Sequence, residues 1–382
     1  MIRPVHGGNL AWAAALAGCP PSAILDFSAS ISPLGPPESA LAAIQAHLSS
    51  LTAYPDPDYG ELRTALGEAL NVDPDWILPG NGSAELLTWA AWDLSKLEAT
   101  YLVTPAFGDY WRALSAFGAQ VLDCPLDLKS LNWETGNGLV ADDLSVSNGS
   151  LVSPSFPLPV PLALGADRAL LLNNPHNPTG LLFGREAIRP YLEQLGMVVV
   201  DEAFMDFLPP AEQQSSIALV EEFPNLVILR SLTKFYSLPG LRMGCAIAHP
   251  DILRRWQLLR DPWPVNALAA AAAAAMVRDT AFERQTWDWL PVARRELFEG
   301  LADLPGLRPM AGAANFLLVE SSVSVAAIQK SLLQQHRILI RDCLSFPELG
   351  DRFFRVAVRD RVDNLRLIAG LADVIRNGNL IT

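Results

Sequence analysis

A series of short apolar runs, each closed by polar or small residues, constrains this chain more than any other feature. They are Thr100 to Thr104, Ala169 to Leu172, Met197 to Val200, Leu226 to Arg230 and Gly244 to Ala248. Each is too short to span a bilayer and too uniformly apolar for a strand with one wet face. Helix-like segments such as Tyr110 to Phe117 and Arg185 to Leu195 lie between several of them. Apolar strands separated by helices predict an α/β fold with a mostly parallel sheet, buried on both faces. In open sheets of this kind ligands collect outside the carboxyl ends of the strands. The polar clusters that follow the runs are therefore expected to converge in one crevice.

The cluster after Leu226 to Arg230 reads Ser231-Leu232-Thr233-Lys234-Phe235-Tyr236-Ser237-Leu238-Pro239-Gly240-Leu241-Arg242. A lysine at the mouth of a strand can form a Schiff base with a held aldehyde. Ser231, Thr233 and Arg242 lie three before, one before and eight after it. Two hydroxyls and a guanidinium are groups that grip a phosphate. An aldehyde and a phosphate together describe pyridoxal 5'-phosphate. The plainer reading makes Lys234 and Arg242 surface cations on a loop.

Other strand ends add to this. Trp76-Ile77-Leu78 enters Pro79-Gly80-Asn81-Gly82-Ser83-Ala84-Glu85, a glycine turn opening a helix. Exposed N–H groups and the helix dipole make such a turn an anion site, although an ordinary strand–helix connection has the same outline. Phe107 follows another strand and could stack on a pyridine ring or simply fill the core. Asp201 ends Met197 to Val200, and a carboxylate there is costly unless it meets a cation. A protonated pyridinium nitrogen or an arginine would serve.

Beyond Ala248 the pattern changes. Helices dominate from Asp251 to Leu304, including an alanine-rich one capped by Asn266. Phe316 to Val319, Ile338 to Arg341 and Phe353 to Val358 then read as strands of a smaller α+β domain, and a helix from Val362 to Ile375 follows. Arg341 and Arg355 are expected to close two of these strands, as anion holders or as paired surface arginines. Residues 1–48 are expected to form an arm and part of the small domain, 49–250 the large domain and 251–382 the rest of the small domain.

Composition narrows the function. The formal net charge of −13 argues against a nucleic-acid surface. It also requires local arginines to capture any anionic ligand. Cys19, Cys124, Cys245 and Cys343 are far apart and form no metal spacing, so no metal is expected. No apolar run approaches the ~18 residues of a membrane helix. Met1 to Asn9 lacks the apolar core of a signal peptide, so a cytoplasmic protein is expected. Ser153 to Pro161 is too proline-rich for a helix or central strand and reads as an extended loop.

Taken together, Asn177 in Asn-Pro-Thr-Gly, Asp201, Lys234 and Arg242 resemble the four anchor motifs of the fold-type I pyridoxal-phosphate enzymes, the aspartate-aminotransferase superfamily. Within it the chain is similar to the histidinol-phosphate aminotransferases and looks still more like the threonine-phosphate decarboxylases of cobalamin biosynthesis. His6-Gly7-Gly8-Asn9, Leu25 to Ala29, Asp201 to Phe207, Leu229 to Gly240, Gln285 to Leu290 and Arg337 to Cys343 carry that likeness. The resemblance implies that Lys234 links covalently to the cofactor and shuttles protons. Asp201 would pair with the pyridinium nitrogen, Asn177 with the phenolic oxygen, and Phe107 would stack on the ring. Ser83 and Ala84 amides with Ser231, Thr233 and Arg242 would hold the cofactor phosphate, and Tyr54 would reach that of the neighbouring subunit in a homodimer. Arg341 and Arg355 would bind a small phosphorylated substrate, with His6 closing over its phosphate.

Two departures bear on the reaction. Phe204 stands where many relatives have tyrosine; the decarboxylase group also tends to have phenylalanine there, which favours the decarboxylase. Ser28-Ala29-Ser30-Ile31-Ser32 replaces that group's Ser-Ala-Asn-Ile-Asn, so Ser30 offers a shorter contact to substrate phosphate. The reaction expected is decarboxylation of O-phospho-L-threonine to an aminopropanol phosphate. The alternatives are a histidinol-phosphate-type aminotransferase and a pyridoxal-phosphate-binding protein without turnover.

Overall fold

The computed structural model describes residues 7–128, 158 and 163–377. Its strands are β1 (Leu25–Asp26), β2 (Ile77–Asn81), β3 (Ala99–Thr104), β4 (Val121–Pro125), β5 (Arg168–Asn173), β6 (Met197–Asp201), β7 (Leu226–Ser231), β8 (Met243–Ala248), β9 (Leu307–Pro309), β10 (Phe316–Ser321), β11 (Ile338–Leu339), β12 (Arg341–Asp342) and β13 (Phe353–Ala357). The main helices are α1 (Leu10–Ala17), α2 (Glu38–Ala46), α3 (Gly60–Leu70), α4 (Ser83–Leu94), α5 (Gly108–Ala116), α6 (Arg185–Leu192), α7 (Leu232–Phe235), α8 (Pro250–Leu259), α9 (Ala267–Met276), α10 (Thr280–Ala302), α11 (Val325–Ser331) and α12 (Arg361–Asn377).

Seven strands form one sheet in the order β2-β8-β7-β6-β5-β3-β4. All run parallel except β8, which is antiparallel to both neighbours. The reversal has a local cause. Only the short turn of α7 and the residues to Arg242 join β7 to β8, too little chain for the crossover that a parallel partner needs.

Alternation along the buried strands builds a core on each face. Leu170, Leu172, Val198, Val200 and Ile228 belong to one hydrophobic cluster. Ala169, Leu171, Val199, Val227 and Leu229 belong to another, with α4 and Trp256. Each fully buried Val or Leu is worth roughly 1.5–3 kcal/mol. This double-sided burial holds the strand ends rigid where the polar clusters emerge.

A second sheet has the order β12-β13-β10-β9, and β1 pairs in parallel with β11. The run Ile338 to Arg341, expected as one strand, divides. Ile338–Leu339 pairs with Leu25–Asp26, and Arg341–Asp342 with Arg355 and Phe354. The chain crosses from one sheet to the other at Ile340, which joins the N-terminal segment to the same place as both arginines. Arg355 lies within β13 and does not close it. The alanine-rich α9, capped by Asn266 as expected, packs on α2 and α3.

One backbone contact brings the Asn177 loop against the second sheet's approach. Ala313 N–H donates to the Gly180 carbonyl at 2.7 Å. A Cβ on Gly312 would stand 3.0 Å from the Gly180 Cα. Gly312→Ala is expected to lower stability by roughly 1–3 kcal/mol, read as a drop in the thermal unfolding midpoint. An unchanged midpoint would show that the two glycines are not closely packed.

Candidate active site

Lys234 lies in α7, the single turn that continues from β7. Its amine donates to Ser231 Oγ at 2.9 Å, and Ser231 Oγ shares a hydrogen with Thr233 Oγ1 at 2.8 Å. Burial lowers the Lys234 amine to about 8; Asp201 opposes that shift, and Arg242 and Arg355 add to it. A neutral amine, the nucleophilic form, is therefore available near neutral pH.

Asp201 ends β6 and is buried, opposite Asn173 of β5. It accepts hydrogen bonds from the Tyr110 hydroxyl at 2.8 Å and from Ala203 N–H at 3.0 Å. Burial raises its carboxyl, while Lys234, Tyr110 and Ala203 pull it down. Among the described residues no arginine pairs with Asp201. The buried Arg230 instead takes Glu202 at 3.1 Å and Asp206 at 2.5 Å. Burial thus holds the Asp201 carboxyl above the usual carboxylate range despite these partners, and the arginine of this region is taken by the neighbouring Glu202 and Asp206.

Tyr110 escaped the sequence reading. Its signal was present but weak: a polar-tipped aromatic three places after Phe107, on the inner side of α5. Phe107 caps that helix, and its ring meets Tyr110 edge-on with centroids 5.7 Å apart. The Phe204 ring meets Phe316 edge-on at 5.0 Å and lies 5.5 Å from the Lys234 amine.

The glycine turn closes against the same place. A Cβ on Gly82 would stand 2.5 Å from the Arg242 guanidinium, and one on Gly244 would stand 2.6 Å from Ser83 N. Gly244 pairs with Ser231 in the sheet. The Ser83 and Ala84 amides at the start of α4, the Ser231 and Thr233 hydroxyls and Arg242 are thereby brought together. No side chain beyond Cα could occupy the two glycine positions without displacing the others.

Arg341 and Arg355 stand opposite each other in register on β12 and β13, and both are buried. Arg355 donates to Asn177 Oδ1 and to the Ser28 carbonyl, the latter at 3.3 Å. Burial and the facing Arg341 lower Arg355 to about 10. Arg341 donates to Ser345 Oγ at 2.7 Å. Ser30 Oγ is buried without a hydrogen-bond partner. Its loop is tied to Lys234, because Ser32 N–H donates to the Lys234 carbonyl at 3.0 Å. His6 lies outside the described residues, as does the proline-rich loop apart from Leu158; Gly8 N–H donates to Ser28 Oγ at 2.7 Å. Tyr54 is not brought into this cluster within one chain. It is 77% exposed and stacks on Trp263 at 4.2 Å.

The arrangement suits an aldehyde-bearing, phosphorylated aromatic cofactor. It offers an activated amine, a buried carboxylate, a glycine-lined anion cradle with an arginine, and unsatisfied buried donors at Ser30 Oγ and Arg355 Nε. Such a sheet, with a lysine on the turn after one strand and a carboxylate ending the next, defines the class of fold-type I pyridoxal-phosphate enzymes. Comparison with known proteins agrees. The family "aminotransferase class I and II" matches residues 22–371, and the chain belongs to it. It is a pyridoxal-phosphate-dependent enzyme on that ground.

The chain is 36% identical over 380 residues to a threonine-phosphate decarboxylase from Salmonella typhimurium, covering 98% of each. It is 30% identical over 370 residues to a histidinol-phosphate aminotransferase of Cupriavidus pinatubonensis, covering 94% of this chain and 90% of that one. Among solved structures, the histidinol-phosphate aminotransferase from Clostridium acetobutylicum superposes with a TM-score of 0.78 at 25% identity. It covers 93% of this chain and 100% of its own.

Two outcomes test the geometry. Tyr110→Phe removes one donor to a buried carboxylate, and should cost roughly 1–3 kcal/mol in chemical unfolding. No loss would mean that water replaces the hydroxyl. In the cofactor-free chain, acylation of Lys234, followed by peptide mass, should rise through a midpoint near pH 8. The sign follows from burial: deprotonation comes earlier than in a free lysine, and a midpoint near 10.5 would contradict it.

Proposed function

We propose that this enzyme decarboxylates O-phospho-L-threonine, giving (R)-1-aminopropan-2-yl phosphate, in cobalamin biosynthesis. One observation carries the reading beyond overall similarity. Arg341 and Arg355 form a buried, facing pair of cations on the substrate side, and among the described residues no carboxylate makes an ion pair with Arg355. Two adjacent guanidinium groups match a substrate carrying both a carboxylate and a phosphate. Histidinol phosphate carries only the phosphate.

Pyridoxal phosphate, when bound, supplies an aldehyde for the substrate amine and a conjugated ring that accepts the electron pair of a breaking Cα bond. Lys234 is assigned to hold the cofactor and to deliver a proton to Cα after carbon dioxide leaves. Asp201 would pair with the ring nitrogen, and Tyr110 positions Asp201. Asn177 would bond the phenolic oxygen, Phe107 and Phe204 would bound the ring, and Ser83, Ala84, Ser231, Thr233 and Arg242 would hold the phosphate. The arginines select the bond. By fixing both anions they would orient Cα so that its bond to the carboxylate is the one that breaks. Ser30, with its unpartnered hydroxyl, and His6 are assigned to the substrate phosphate.

The working unit is assigned as a homodimer in which Tyr54 reaches the partner's cofactor phosphate. Tyr54, Leu51, Leu48 and Leu41 are large apolar side chains with 45–77% exposure, a surface that association would cover. No helix among the described residues is long and apolar enough to cross a membrane, and the reading places the enzyme in the cytoplasm.

A product assay with O-phospho-L-threonine tests the reaction. Carbon dioxide and an amine phosphate should appear without any 2-oxo acid, and Lys234→Ala should slow turnover by roughly 10²–10⁴-fold. Amino transfer from histidinol phosphate to 2-oxoglutarate, with no carbon dioxide, would replace this reading with the aminotransferase one. Arg355→Lys keeps the charge but loses the fork, and should cost about 1.5–3 kcal/mol in kcat/KM. An unchanged kcat/KM would remove Arg355 from the substrate.

A further inference from the structure

A separate cavity of about 670 Å³ opens against the other side of the Lys234 turn. Leu232, Phe235 and Tyr236 line it, whereas Thr233 and Lys234 do not. Its other walls are the end of α3, the segment after β6 and the start of α10. The volume lies within the range of small-molecule sites, roughly 300–1,000 Å³. None of the groups assigned to the reaction faces it.

The charges in this cavity are unequal. Asp206, Glu221 and Glu283 line it, with Arg185 and Arg230 as the basic groups. Arg230 is already engaged by Glu202 and Asp206. Arg185 Nε donates to the Ser215 carbonyl at 2.6 Å. Glu283 has no cation within ion-pair distance among the described residues, and its hydrogen bond there is a long one, 3.4 Å, from the Tyr236 hydroxyl. Burial and the neighbouring Asp206 push its carboxyl up to about 7. The aromatic rings of Phe235, Tyr236 and Trp287 stand beside it.

We propose that this cavity binds a small organic cation, an ammonium group on an apolar body, with Glu283 as its counter-ion. An ammonium there gains the Glu283 carboxylate, with the apolar body set among the aromatic side chains that line the cavity. With Asp206 taken by Arg230, an anionic ligand would meet Glu221 and Glu283 against the single guanidinium of Arg185, and a neutral one would leave Glu283 unpaired. Among the described residues no group of three or more His, Cys, Asp or Glu side chains is placed to hold a metal ion. The proposal holds whichever reaction the enzyme performs.

Isothermal titration of the holoenzyme with benzyltrimethylammonium tests it. This cation is quaternary and cannot condense with an aldehyde, so it does not report on the cofactor. Benzyl alcohol serves as the neutral probe. The cation should bind once per chain and about tenfold more tightly than the alcohol. Glu283→Gln should remove that advantage, and Ala218→Trp, at an exposed position on the rim, should block both probes. If Glu283→Gln fails to fold, the Ala218→Trp result decides. Equal affinities, no heat up to about 10 mM, or binding that survives Ala218→Trp would overturn the proposal.

Discussion

The electrostatic coupling between the half-buried Lys234 and the buried Asp201 is the interaction on which the site depends. Each would be costly alone in that setting, and each moves the other toward its charged form. Neither is fully neutralised by other side chains. Tyr110 and Ala203 satisfy part of Asp201, and Ser231 part of Lys234. The site is left with an activated amine and a buried carboxyl group at adjacent strand ends. A sheet buried on both faces keeps these groups from relaxing toward water.

The surrounding charges separate support from function. Arg230 is locked among Glu202, Asp206 and Ser215 beneath the reactive turn. Such a buried network is costly to break, by about 3–5 kcal/mol when one partner is lost. Arg242 and Arg355 are different: neither forms an ion pair among the described residues, and both act electrostatically on Lys234. Arginines that hold one another's region positive, without carboxylates of their own, suit an overall acidic chain that must still capture anions.

Much of this was legible because polar residues that end apolar strands have few places to go. Lys234, Asp201, Asn177 and the glycine turn were readable for that reason, as was the mostly parallel sheet. Other features depended on tertiary partners. Tyr110 fits the inner face of an ordinary helix, and only the fold brings its hydroxyl to Asp201. The division of Ile338 to Arg341 between two sheets follows from Leu25–Asp26 pairing with it, a contact more than 300 residues apart in the chain. The reversed β8 was hidden because its composition matches that of the parallel strands of the same sheet.

The central claim is that the polar clusters converge on Lys234 as the one point of covalent attachment. Borohydride reduction of the holoenzyme, followed by peptide mass mapping, tests it most directly. The account predicts a pyridoxyl group on Lys234 alone. The same group on Lys96, Lys129 or Lys330, with Lys234 unmodified, would contradict it.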